Sequence, residues 1–273
     1  MRRLRLLFML ACFLPVIAHA APRAELWDYW LPHDPGSGIT VDHRAWDDFL
    51  GRYRRMDADG IARLAYGAVS GDDRAALAAY IAMLSDMPVR RLNRAEQLAF
   101  WLNLYNALTV QVVLQHHPVQ SIREISISPG LFSRGPWGRK LLKIDGAEIS
   151  LDDIEHRILR PVWRDPRLHY GLNCASLGCP DLPPRAFTAA TVGTQLEVAA
   201  RTFIRHPRAV RIEDGRLHVS SLYVWFREDF GDSDAAVIAH IAGYAEPRLR
   251  DQLYGIDRIA GHDYDWHLND SGR

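Results

Sequence analysis

Residues Leu98 to Leu114 constrain the fold more than any other stretch, because their apolar side chains do not keep to one stripe. Phe100, Trp101, Leu104, Tyr105, Leu108, Val110, Val112, Val113 and Leu114 go all round a helical axis, and such a helix has to be covered on every side. Asn93-Arg94-Ala95-Glu96 gives it a capping-box-like start, and Pro118 stops it after His116-His117. The chain is therefore expected to wrap around one central helix. Asn103 and Asn106 lie on that helix with no solvent face to occupy. An unpaired buried amide costs about 1–3 kcal/mol, so each needs a partner. They either satisfy neighbouring backbone or orient a ligand.

The segments on either side supply the wrapping. Ala21 to Thr40 holds Trp27, Trp30, Pro32 and Pro35 and reads as an irregular arm. Helical spacing begins near Asp42, through Trp46, Phe49, Leu50 and Tyr53, and returns over roughly Asp72 to Leu84. Ser128 to Arg139, rich in Gly and Pro and carrying Phe132 and Trp137, is a lid or a connection. Leu141 to Ile149 is a hairpin turning on Asp145-Gly146. Ser150-Leu151-Asp152-Asp153 then caps a helix whose buried face includes Glu155, with His156 on its flank; a carboxylate on that face is paired or functional. Arg167 to Asn173 alternates, which predicts a half-buried strand delivering His169, Asn173 and then Cys174 to its end. An amphipathic helix over Ala189 to Ile204, a second hairpin across Glu213-Asp214-Gly215, an aromatic-rich run from Ser220 to Phe230 and a helix over Asp234 to Tyr244 complete the chain. The expected fold is α+β: one helix-rich domain with a small antiparallel sheet.

The first twenty residues read as a secretory signal peptide. Arg2, Arg3 and Arg5 precede an apolar run from Leu6 to Ile17, and Ala18-His19-Ala20 is a small-x-small cleavage site. The run is short for a membrane span. The expected product is periplasmic or secreted, with no membrane span after cleavage. Loss of those three arginines turns 33 basic against 33 acidic residues into 30 against 33. A balance near neutrality gives no reason to expect nucleic acid as a partner.

The chemistry concentrates in His169-Tyr170-Gly171-Leu172-Asn173-Cys174-Ala175-Ser176-Leu177-Gly178-Cys179-Pro180, which holds the only cysteines left once the leader is removed. Two readings stand. In the first, Cys174 is a nucleophile served by His169 or His156, with Glu155, Asp153 or Asp229 orienting the imidazole, as thiol-dependent cleavage or transfer of an amide or ester requires. Asn103, Asn106, Asn173, Ser176 and Trp137 would then line the substrate, an unknown small molecule or peptide of the cell envelope. In the second, Cys174 and Cys179 form a disulfide that shapes a binding loop with no catalysis. A weaker third option is reversible oxidation of the pair. Asp263, Asp265, His262 and His267 cluster in the tail, but no standard zinc spacing appears, so neither metal nor cofactor is expected.

Several blocks resemble the family known as domain of unknown function 547. They are Ala99 to Thr109, Ser150 to Arg160, His169 to Leu182, Ser220 to Gly231 and Tyr264 to Asn269, in that order along residues 90–270. The resemblance implies a core over 90–273, with 21–89 as an arm and helices packing on it and 1–20 as the leader. It carries over no catalytic residues, because the family has no assigned activity. His218, His262 and His267 do not fit the family pattern.

Overall fold

A computed structural model describes residues 22–130 and 134–272. The expected leader, Cys12 and Phe132 lie outside them. The central helix, α3 (Arg94–His116), has only a few side chains outside the core. The Asn93 side chain caps it by accepting from the amides of Ala95 and Glu96. The capping box does not close, however: the Glu96 carboxylate accepts instead from the Val41 amide (3.3 Å), tying down the N-terminal arm.

Around α3 lie α1 (Arg44–Tyr53), a short hairpin β1 (Arg54–Met56) and β2 (Ala62–Leu64), and α2 (Gly71–Ser85). The arm before them folds back so that Trp30 meets Trp101 edge to face at 5.0 Å. The hairpin β3 (Leu142–Ile144) and β4 (Ala147–Ile149) turns on Asp145 and Gly146, both at positive φ (48° and 83°), as a two-residue type I′ turn requires. Next comes a π-helix over Asp153–Leu159, continued by α4 (Arg160–Trp163). Ser150 and Asp153 cap each other: the Asp153 amide donates to Ser150 Oγ (3.2 Å) and the Ser150 amide to Asp153 Oδ2 (2.8 Å).

The expected strand over Arg167 to Asn173 is instead a single helical turn, α5 (Leu168–Gly171). Its alternation has another cause. Leu168 and Leu172, four apart on one side, enter the larger core, whereas Tyr170 enters a second, smaller one. An apolar residue on each side of one helical turn mimics the period of a strand. Gly171 permits the close approach, because a Cβ there would lie 2.7 Å from Leu196 and 3.2 Å from Leu102.

The second core is formed by α6 (Val192–Arg205), α7 (Ser221–Trp225), α8 (Asp234–Tyr244), α9 (Pro247–Leu253) and a three-stranded sheet. In that sheet β5 (Val210–Glu213) pairs antiparallel with β6 (Arg216–Ser220), and β6 pairs parallel with β7 (Ile259–Asp263). Among the described residues the expected small antiparallel sheet is thus three separate small sheets, the last of them mixed. Helices with small sheets make an α+β fold. Among the described residues no helix is long and apolar enough to cross a membrane.

Candidate thiol site

The loop after α5 is held from both sides before any reactive group is placed. Asn106 accepts from the Asn173 amide (2.9 Å) and donates to the Gly171 carbonyl (2.9 Å), fixing the residue before Cys174 to the central helix. Asn103 takes the amide and carbonyl of Phe187 in the same way (2.9 and 2.8 Å). Both asparagines therefore satisfy backbone, the first of their two expected roles. Asn173 donates to the Pro180 carbonyl (2.7 Å) and accepts from the Ala175 amide (2.9 Å), which ties the ends of the loop together. The tail closes over it: the Leu177 amide donates to the His267 carbonyl and the Gly178 amide to the Asp265 carbonyl, both at 2.8 Å. Gly178 cannot gain a side chain without displacing that backbone, since a Cβ would lie 2.8 Å from the Asp265 nitrogen.

This framework brings two free thiols together. Cys179 is buried and Cys174 half-buried, and their sulfurs lie 2.8 Å apart, with the Cys179 thiol donating to Cys174 Sγ. The Cys174 amide in turn donates to Cys179 Sγ (2.9 Å). The Tyr264 hydroxyl lies 3.0 Å from Cys174 Sγ and Ser176 Oγ 3.2 Å from it, and Ser176 donates to Tyr264 (2.9 Å). With the serine proton directed to Tyr264, the tyrosine proton is directed to the sulfur. Burial pushes the Cys174 thiol up, but the hydrogen bonds of Cys179, Ser176 and Tyr264 outweigh it and hold the thiol below its ordinary value. Burial, the bond to Cys174 and the Cys174 charge push Cys179 well above its own. The pair is thus split into a thiolate former and a proton holder.

The expected histidines form a neighbouring cluster and are not hydrogen-bond partners of either sulfur. His169, on α5, bonds Asp229 Oδ2 through Nε2 (2.7 Å), and its Nδ1 lies 3.9 Å from Glu155 Oε1. The Phe226 ring stacks on it at 4.2 Å. Glu155 accepts from the Tyr105 hydroxyl (3.0 Å). Arg160 bonds Asp229 (2.5 Å), Glu228 (2.7 Å) and His156 Nδ1 (3.1 Å). Burial would raise the Asp229 carboxyl, but His169 and Arg160 draw it down to about 2. Burial lowers the His156 imidazole. Glu155 and His156 are both buried in the π-helix, as are Asp153, Ile154, Ile158 and Leu159, so this segment is covered on nearly every side; π turns concentrate at functional sites. Glu155 is the electrostatic link between the clusters: its charge opposes ionisation of Cys174.

Trp137 belongs to an aromatic wall. Its ring meets Trp266 at 5.9 Å, Trp266 meets Tyr264 at 4.7 Å and Trp225 at 5.6 Å, and Trp225 meets Tyr264 at 4.8 Å. All four rings are half-buried. Tyr264 was not among the residues expected at the site. The sequence signal for it was its place in the block Tyr264 to Asn269, with nothing to indicate that the tail returns to the thiols. Among the described residues no group of three or more His, Cys, Asp or Glu is placed to hold a metal ion.

Residues 89–204 match the family model described as protein of unknown function, DUF547. That region is DUF547-like. It contains the central helix, the π-helix, α5 and both thiols; the blocks Ser220 to Gly231 and Tyr264 to Asn269, which supply Phe226, Asp229 and Tyr264, lie beyond it. No curated protein and no solved structure matches the chain.

Proposed function

We propose that the protein is a two-cysteine thiol enzyme that exchanges disulfides, with Cys174 as the attacking thiolate and Cys179 as the resolving thiol. The observation that carries this reading is the 2.8 Å contact between two free sulfurs whose acidities are driven in opposite directions. The Cys174 thiolate attacks one sulfur of a substrate disulfide, forming a mixed disulfide and expelling the other sulfur as a thiolate. Cys179, once deprotonated, attacks Cys174 Sγ, closes the Cys174–Cys179 bond and expels the second substrate thiolate. The substrate gains two electrons and the pair loses two; with a reduced substrate the steps run in reverse.

Acyl transfer by the same nucleophile, as a thiol-dependent hydrolase or transferase, finds less support. It asks for an imidazole on the thiol, whereas the Cys174 sulfur bonds Cys179, Ser176 and Tyr264. It also asks for backbone donors aimed at an oxyanion. The amides of Cys174, Ala175, Leu177, Gly178 and Cys179 are all spent on internal acceptors. A disulfide-tied binding loop without catalysis also finds less support, because the two cysteines are free and their sulfurs stand 2.8 Å apart. Export is part of the proposal: Arg2, Arg3 and Arg5 before an apolar run favour delivery to the periplasm or beyond.

The test is to mix the reduced protein with hydroxyethyl disulfide and follow intact mass with and without alkylation. The wild type should end as an intramolecular disulfide and Cys179→Ser as a stable mixed disulfide on Cys174, while Cys174→Ser should react far more slowly. Equal reactivity of the two single variants would sink the assignment of roles.

A further inference from the structure

Beside the aromatic wall, Trp266 borders an open depression also lined by Ser121, Arg123, Glu124, Ser126 and Arg134. The Arg123 guanidinium lies over the Trp266 ring, 5.0 Å from its centroid. Arg123 is half-buried and Arg134 exposed. Among the described residues neither is paired with a carboxylate, unlike Arg63, Arg160, Arg167, Arg208 and Arg211 elsewhere in the chain. The one acid in the depression, Glu124, accepts from the Gln120 amide (3.1 Å). Ser121 Oγ is also spent, donating to the Trp266 carbonyl (2.7 Å), so the backbone that carries the Trp266 ring is fixed.

From this arrangement we infer that the depression is the anion subsite of the thiol site, and that the preferred substrate is a disulfide or thiol bearing a carboxylate. The inference rests on the disulfide-exchange reading above. A planar guanidinium half-withdrawn from water and stacked on an indole is preorganised to grip a carboxylate through two parallel hydrogen bonds. The second arginine adds charge that exceeds the single Glu124. The wall supplies continuity: from Trp266 the rings run to Tyr264, whose hydroxyl touches Cys174 Sγ. A substrate would lay its apolar part on the rings, its anion on Arg123 and Arg134, and its sulfur at Cys174.

The experiment compares three disulfides that oxidise the reduced full-length mature protein: oxidised glutathione, which is anionic, hydroxyethyl disulfide, which is neutral, and cystamine, which is cationic. The wild type should favour oxidised glutathione over cystamine, with the preference fading at high salt. Arg123→Ala and Arg134→Ala should each slow oxidised glutathione about fivefold and leave hydroxyethyl disulfide unchanged. Arg123→Glu should speed cystamine above the wild-type rate without speeding hydroxyethyl disulfide, whereas exposure of the thiols by misfolding would speed both. If the arginine variants change all three rates equally, or none, the subsite is refuted while the thiol chemistry stands. If no disulfide oxidises the wild-type pair, the exchange reading fails and this inference falls with it.

Discussion

Replacing Tyr264 by Phe tests the proposed source of the Cys174 acidity. The ring stays, with its packing on Trp225 and Trp266; only the hydroxyl 3.0 Å from the sulfur is lost. A hydrogen bond to a charged group is worth about 1.5–3 kcal/mol, and one pKa unit is about 1.4 kcal/mol. Ser176, whose proton no longer goes to Tyr264, can turn it to the sulfur and recover part of the loss, so the thiol should rise by about one unit. The intrinsic nucleophilicity of a thiolate rises with its pKa at a Brønsted slope of about 0.4–0.5. Well below both pKa values the variant should therefore alkylate about 3–4 times more slowly, because it loses tenfold in thiolate and regains part in reactivity. Well above both it should alkylate about 3 times faster. The assay is the pH profile of iodoacetamide modification of Cys174, read by intact mass in a Cys179→Ala background, where the only sulfur reacting is the one in question. A crossing of the two profiles is the expected result. Parallel profiles, or variant and wild type superimposed, would show that Tyr264 does not stabilise the thiolate.

Three further outcomes follow from buried and half-buried polar groups. Burial lowers His43 from 6.5 to about 4; a depressed imidazole supports folding above the unfolded value and loses that support as the pH falls through the folded one. Urea unfolding should therefore show up to about 3 kcal/mol lost between pH 7 and pH 4 on this account, and less in His43→Gln. Burial, with the charges of Glu155 and Asp153, raises Asp152 from 3.8 to about 7. Its contribution is complete below 3.8 and is lost as the pH rises through 7, so Asp152→Asn should gain on the wild type across that window in thermal unfolding. Asn106→Ala strands the Asn173 amide and the Gly171 carbonyl. It should cost about 2–4 kcal/mol in urea unfolding and shift the Cys174 alkylation profile as well; a loss of stability with the profile unmoved would separate the clamp from the thiol.

The elements with a strong local signature were legible: α3 from its cap, its all-round apolar surface and Pro118, and the hairpins at Asp145-Gly146 and Asp214-Gly215 from their turn residues. What the chain hid was local geometry set by tertiary contact. The alternation of Leu168, Tyr170 and Leu172 is the same whether a strand faces one core or a helical turn faces two, and only the second core decides. β7 exposes most of its residues and owes its pairing to β6, so it has no apolar period to read. The π-helix leaves no mark at all in the order of residues. With α-helical spacing His156 falls on the flank, yet six of the seven residues of this segment are buried, His156 among them, because other elements cover it on nearly every side.

Placement of the histidines also bears on what the charged cluster would contribute to the proposed chemistry. His169 is engaged by Asp229 and approached by Glu155, and Arg160 spans Asp229, Glu228 and His156. Burying that many charges is expensive, and an apolar cluster of the same volume would hold the fold as well or better. The arrangement has a different value. Glu155 places a negative charge near the pair, where it raises the Cys174 thiol against the pull of Tyr264 and Ser176. A thiolate stabilised without limit would be a weak nucleophile, because reactivity falls with basicity. On the disulfide-exchange reading, opposing the hydrogen-bond donors with the Glu155 charge limits how far the thiol is lowered, and Arg160, paired with both Asp229 and Glu228, offsets part of the negative charge beside it.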